Sequence, residues 1–139
     1  MTAALVVDAS VTAAWFLPDE ANAYTEAALQ ATAERDVWVP ALWQLEMGNL
    51  LLSAQRRRRI SDAKRRELVA AAAGLRLRVD REPVSMIDLD ALAAAHALSA
   101  YDAVYLELAL RRRLPLATLD SALRKALARS GAALAVLDP

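Results

Sequence analysis

Asp8, Glu46, Asp102 and Asp120 stand in four separated stretches whose other residues are mostly apolar or small. The stretches read Leu5-Val6-Val7-Asp8-Ala9-Ser10, Trp43-Gln44-Leu45-Glu46-Met47-Gly48-Asn49, Ser99-Ala100-Tyr101-Asp102-Ala103-Val104-Tyr105 and Leu116-Ala117-Thr118-Leu119-Asp120. A carboxylate is costly to bury unless it is paired or holds a metal, so four acids framed this way ask for a common explanation. The chain has no cysteine and one histidine, which leaves oxygen as the available ligand type. Oxygen ligands suit a hard divalent cation, and carboxylates gathered around one are equipped for phosphodiester hydrolysis.

Each acid also has a purely architectural reading. Asp8 and Asp120 can cap the helices that follow them, and Ser99 with Asp102 fits the spacing of a capping box. Glu46 resists such a reading, because no basic residue lies three or four positions away to pair with it. On a helix its neighbours are Leu42, Trp43, Asn49 and Leu50, a largely apolar face that points the carboxylate inward. Caps explain the acids one at a time; a shared site explains why all four sit in apolar surroundings.

Strands and helices alternate along the chain. Ala4 to Val7 reads as a fully apolar strand, as in a parallel sheet covered on both faces. A helix follows over 10–16, stopped by Pro18, and Asp19 is expected to cap a second helix over 20–35. Val37 to Val39 is a strand, and Pro40 opens a third helix running to the arginines at 56–59. Ser61 caps a fourth helix ending near Gly74, and a weak strand lies within 76–84. Helices over 86–98 and 99–113, a strand at 116–118, a helix over 121–129 closed by Gly131, and a last strand at 133–137 complete the pattern. Such alternation predicts one three-layer α/β/α domain over 1–139 with a central, mostly parallel sheet. Asp8 and Asp120 then end strands, where open α/β sheets bind ligands.

Composition limits what the chain can do. Its 139 residues are 57% hydrophobic and 24% charged, which suits a single globular domain. Seventeen basic and seventeen acidic residues give a formal net charge of zero, so any nucleic-acid binding must rest on local patches. Arg56, Arg57, Arg58 and Arg59, followed by Lys64, Arg65 and Arg66, face only Asp62, and Arg111 to Arg113 end another helix. Both runs suit helix C-termini, and both suit an RNA phosphate track. No stretch approaches a membrane span or a signal-peptide core, and the absence of cysteine fits a cytoplasmic setting. One histidine cannot supply both partners of a metal-free ribonuclease, and His96 reads as structural or exposed. Gly-x-Ser-x-Gly is absent, which excludes a serine hydrolase of that type. A receiver-like phosphoacceptor domain would need an acidic pair after the first strand and a lysine after the last, and both are missing. Tyr101 and Tyr105, four apart, are expected to pack on one helix face.

The chain resembles the PIN domain family and, within it, the VapC toxins of bacterial toxin–antitoxin pairs. The likeness spans nearly the whole chain. It lies in Val7-Asp8-Ala9-Ser10-Val11 with Trp15 to Glu20, in Val39 to Trp43 with Glu46 and Asn49, in Leu98 to Ala103, and in Leu114 to Asp120. The resemblance implies an endoribonuclease that binds Mg²⁺ or Mn²⁺ through Asp8, Glu46, Asp102 and Asp120. Ser10, Asn49 and Thr118 become supporting neighbours. Where many relatives carry a fifth acid, this chain has Ser121-Ala122-Leu123. The resemblance further implies an RNA substrate, a homodimer and a small VapB-type antitoxin blocking the acidic groove. A catalytically silent PIN-like module for RNA or protein is the alternative.

Overall fold

A computed structural model describes residues 4–137. Its elements run β1 (Leu5–Val7), α1 (Ala9–Phe16), α2 (Ala23–Glu34), β2 (Val37–Pro40), α3 (Leu42–Arg56), α4 (Asp62–Ala73), β3 (Arg78–Asp80), α5 (Met86–His96), α6 (Ala100–Arg112), β4 (Leu116–Ala117) and α7 (Ser121–Ser130). The strands form one parallel sheet in the order β3-β2-β1-β4. From β1 the chain steps outward to β2 and β3, then crosses back to lay β4 on the other side of β1. That reversal makes a switch point between β1 and β4, the position at which open α/β sheets bind ligands outside the carboxyl ends of their strands.

Alternate strand residues feed two cores, because successive side chains leave opposite faces of a sheet. Leu5, Val7, Val37, Val39 and Ala117 join Val11, Ala28, Trp43, Met47 and Ala72 beneath α1 to α4. Val6 and Leu116 join Tyr105, Leu106, Leu108, Leu123 and Leu127 beneath α6 and α7. Helices therefore cover both faces, giving the three-layer α/β/α arrangement.

Several local expectations are corrected. Asp19 lies in a short 3₁₀ turn at Pro18–Glu20; Asn22 caps α2 instead, in a capping box with Thr25. Pro40 ends β2 and pairs with Asp80, so α3 begins two residues later at Leu42. The last strand shrinks to one parallel bridge between Leu116 and Leu134. Ser61 and Ser99 cap α4 and α6 as expected, and Gly131 leaves α7 at φ 79. Gly131 takes that left-handed conformation without the steric cost a Cβ would bring.

Candidate functional site

Asp8 follows β1 and is nearly fully buried. Its Oδ1 accepts from the Val11 amide at 3.1 Å, capping α1, and from the Ser10 hydroxyl at 2.6 Å. Its Oδ2 accepts a short hydrogen bond from the Thr118 hydroxyl, just beyond β4. The same two hydroxyls also accept: Ser10 Oγ from the Leu119 amide and Thr118 Oγ1 from the Asp120 amide, each at 3.0 Å. Ser10 and Thr118 thus stitch the ends of β1 and β4 together across the switch point, with Asp8 in the seam. Asp120 turns its Oδ2 to the Leu123 amide at 2.8 Å and caps α7. The architectural and the shared-site readings are both visible here, since the caps are what orient these acids.

Asp102 sits in the first turn of α6, its amide held at 3.0 Å by Ser99 Oγ. Glu46 comes from α3 on the neighbouring side and is half-buried. The Tyr105 hydroxyl donates to Glu46 Oε1 at 2.6 Å. A second buried bond fixes α3 to α1: Trp43 Nε1 donates to Thr12 Oγ1 at 2.9 Å.

Charge coupling shows which acids face one another. Burial raises the Asp8 carboxyl above its ordinary pKa against three hydrogen bonds that lower it, and the charge of Asp102 adds to the rise. Burial also raises Glu46, opposed by the Tyr105 hydrogen bond and reinforced by Asp102 and Asp8. Asp102 is raised by burial and then by the charge of Asp120. Asp102 is therefore the acid that the other three share. Among the described residues, however, no three acids already stand at the spacing of a metal-ligand set.

From Glu46 a groove of about 660 Å³ runs along α3, lined by Asn49, Arg57, Arg59 and Tyr101 among others. Arg59 is tied to Asp19 at 2.8 Å and Glu20 at 3.9 Å, whereas Arg57 has no ion pair among the described residues. Arg56 and Arg58 are exposed and lie outside the groove lining. The other basic run is no open phosphate track. Arg111 binds Asp80, Glu82 and Glu107, and Arg112 binds Asp80 while stacking 3.7 Å from the Trp38 ring centroid. A smaller apolar pocket between α3, α4 and β3 is lined by Trp43, Met47, Leu51 and Val69; its lining holds no ionisable group.

The two tyrosines part company. Tyr101 is 63% exposed at the groove rim, while Tyr105 is 1% exposed beneath Glu46. Sequence reasoning missed Tyr105 as part of the site. Its spacing of three from Asp102 already put both on one face of α6, and that was the signal available.

No curated protein matches the chain. Among solved structures it is similar to PAE2754 from Pyrobaculum aerophilum, with a TM-score of 0.68 and 23% identity, covering 96% of this chain and 83% of that one. It is also similar to a toxin–antitoxin complex from Klebsiella pneumoniae, with a TM-score of 0.64 and 16% identity, covering 94% and 96%. At such identities the likeness concerns the fold. The PIN domain model matches residues 5–127, which contain all four acids, most of both cores and the whole switch point, and the chain belongs to the PIN domain family.

Proposed function

We propose that this chain is a Mg²⁺-dependent endoribonuclease and the toxin of a type II toxin–antitoxin pair. The observation that carries the reading is the coupling of Asp102 to Asp8, Glu46 and Asp120 at the carboxyl edge of the sheet. Membership of the PIN domain family supports nuclease chemistry. The donor set fits Mg²⁺ or Mn²⁺: it is all oxygen, without thiolate or imidazole, and it carries excess negative charge. Mg²⁺ is usually held by one or two carboxylates, with waters and substrate phosphate completing the octahedron, so three preassembled acids are not required.

When bound, such a cation polarises the scissile phosphate and lowers the pKa of a water. The remaining roles belong to side chains. Ser10, Thr118 and the Val11 amide hold Asp8 immobile, which fixes where charge is offered to the cation. Asp102 and Asp120 complete the acidic wall, and Glu46 orients the attacking water or helps to hold a second ion. Asn49, Arg57 and Arg59 line the groove through which an RNA strand reaches the acids, with Arg56 and Arg58 beside it. The same groove suits the C-terminal segment of a small VapB-type antitoxin. The fold likeness to a chain of a toxin–antitoxin complex supports a partner of that kind. A homodimer and a cytoplasmic setting belong to the same reading. No described helix is long and apolar enough to cross a membrane.

The spread of the acids favours one alternative, a silent PIN-like module that binds RNA or protein without cutting. Purified protein incubated with total RNA, in Mg²⁺ or in EDTA, separates the two. Cleavage in Mg²⁺ alone is expected, with 5′-phosphate and 3′-hydroxyl ends, because an attacking water leaves the 2′-hydroxyl unused. Cyclic 2′,3′-phosphate ends would overturn the mechanism, and intact RNA in both arms would favour the silent module.

A further inference from the structure

We infer that Tyr105 is a positioning residue: its buried hydroxyl fixes one oxygen of Glu46 and so reserves the other for a cation or a water. The inference rests on the proposed role of Glu46. Three observations carry it. The Tyr105 hydroxyl is the only hydrogen-bond donor to the Glu46 carboxylate among the described residues, at 2.6 Å. Tyr105 is 1% exposed, so its ring is locked in the core formed with Val6, Leu106 and Leu108, and the hydroxyl has no freedom to follow a moving partner. A glutamate has three side-chain torsions, and a half-buried one without an anchor would sample several rotamers.

The geometry further separates holding the carboxylate from holding the helix. Trp43, three residues before Glu46, already anchors α3 to Thr12 of α1 at 2.9 Å. Removing the Tyr105 hydroxyl therefore releases the Glu46 side chain while α3 stays in place. Tyr105 also lies three residues after Asp102 on α6, so one rigid helix sets both Asp102 and the anchor of Glu46. The distance between two acids from different elements thus comes to depend on one side-chain bond.

Tyr105→Phe tests this, because it keeps the ring and deletes only the hydroxyl. Outer partners of metal-binding carboxylates typically change metal affinity or activity by about 10- to 100-fold when removed. Tyr105→Phe is expected to raise the Mg²⁺ concentration for the half-maximal thermal shift by about tenfold and to lower kcat comparably, with KM for RNA unchanged. Glu46→Asp, which withdraws the carboxylate both from the hydroxyl and from the cation or water, should lose at least as much. The double variant should be no worse than Glu46→Asp alone, since that substitution already breaks the contact that Tyr105→Phe removes. A Tyr105→Phe protein matching the wild type in Mg²⁺ response and kcat would overturn the inference, as would losses that simply add. A wild type that neither cleaves RNA nor responds to Mg²⁺ would instead overturn the proposed function, and the inference with it.

Discussion

Burial is the main cause of the raised Asp8, Glu46 and Asp102 carboxyls, and charge coupling to Asp102 adds to the rise of Asp8 and Glu46, as Asp120 adds to that of Asp102. Two ionised carboxylates ~4 Å apart repel by about 4 kcal/mol at an effective dielectric of 20. Replacing one by a neutral isostere should relieve part of that repulsion, so metal-free Asp102→Asn is expected to melt at or above the wild type while losing cleavage. Mg²⁺ at ~100 times its dissociation constant should add about 2.7 kcal/mol to the wild type and much less to the variant. The pH dependence has a definite sign. Asp8, Glu46 and Asp102 bind protons more tightly in the folded state than in the unfolded one. Their stabilising contribution is full below ordinary carboxyl pKa values and is lost as pH rises through the raised ones. Metal-free protein should lose stability across that rise, less steeply in Asp102→Asn, and Mg²⁺ should flatten the curve. Melting curves against pH with and without Mg²⁺ provide the check; a wild type indifferent to Mg²⁺ would reduce Asp8 and Asp120 to helix caps.

Between elements, the decisive contact outside the site is Asp80 at the end of β3. Its carboxylate is buried, accepts from Arg111 at 2.6 and 3.2 Å and from Arg112 at 2.9 and 3.2 Å, and ties β3 to the last turn of α6. The Arg111 hydrogen bonds, with those of Arg112, hold the Asp80 carboxyl below its ordinary pKa despite burial. Its contribution has the opposite sign to that of the site acids, being present above the ordinary carboxyl pKa and lost as pH falls through the lowered value. Removing one partner of a buried ion pair costs about 3–5 kcal/mol, and partial exposure of both arginines reduces the expectation for Asp80→Ala to roughly 2–3 kcal/mol. Urea unfolding measures this, and a loss below about 0.5 kcal/mol would place the cluster with ordinary surface pairs. Such a contact was invisible in the sequence, where Arg111 and Arg112 read as a solvated helix end. Their partner lies 31 and 32 residues away, on a strand with little hydrophobic signal of its own. Local chemistry was legible: Ser61, Ser99, Asp8 and Asp120 cap their helices because a cap needs only a side chain and an amide two or three residues on. Pro40 and Asp19 misled for the same local reason. Each suits a helix start, but Pro40 is claimed by β2, and the Asn22–Thr25 box outcompetes Asp19. Tyr101 and Tyr105 share spacing but differ in fate, since Tyr101 lies at the groove rim and Tyr105 is packed in the core.

At the scale of the whole molecule, zero net charge leaves recognition of a polyanion to a few cations in the right place. Four consecutive arginines looked equivalent in the sequence; the fold distinguishes them. Arg57 lines the groove without an ion pair among the described residues, while Arg59 is already neutralised by Asp19 and Glu20. Each phosphate contact on a single strand contributes about 0.7 to the log–log slope of affinity against salt. Arg57→Ala should therefore reduce the slope by about 0.7, and Arg59→Ala by clearly less. Fluorescence anisotropy of a labelled RNA over a salt series decides it; equal effects would mean that the Asp19 pair opens when RNA binds.

The seam at the switch point also bears on the order of synthesis. Asp8 leaves the ribosome well before its partner, since the hydroxyl that holds its Oδ2 belongs to Thr118, 110 residues later. A nascent chain that ends before β4 can pair β1, β2 and β3 with one another, but it leaves Asp8 without its partner across the seam. The acids cannot be brought to register until β4 and Thr118 have emerged. Translation itself thereby delays assembly of the seam, and a truncated product lacking β4 and α7 would be an incomplete fold rather than a smaller working domain.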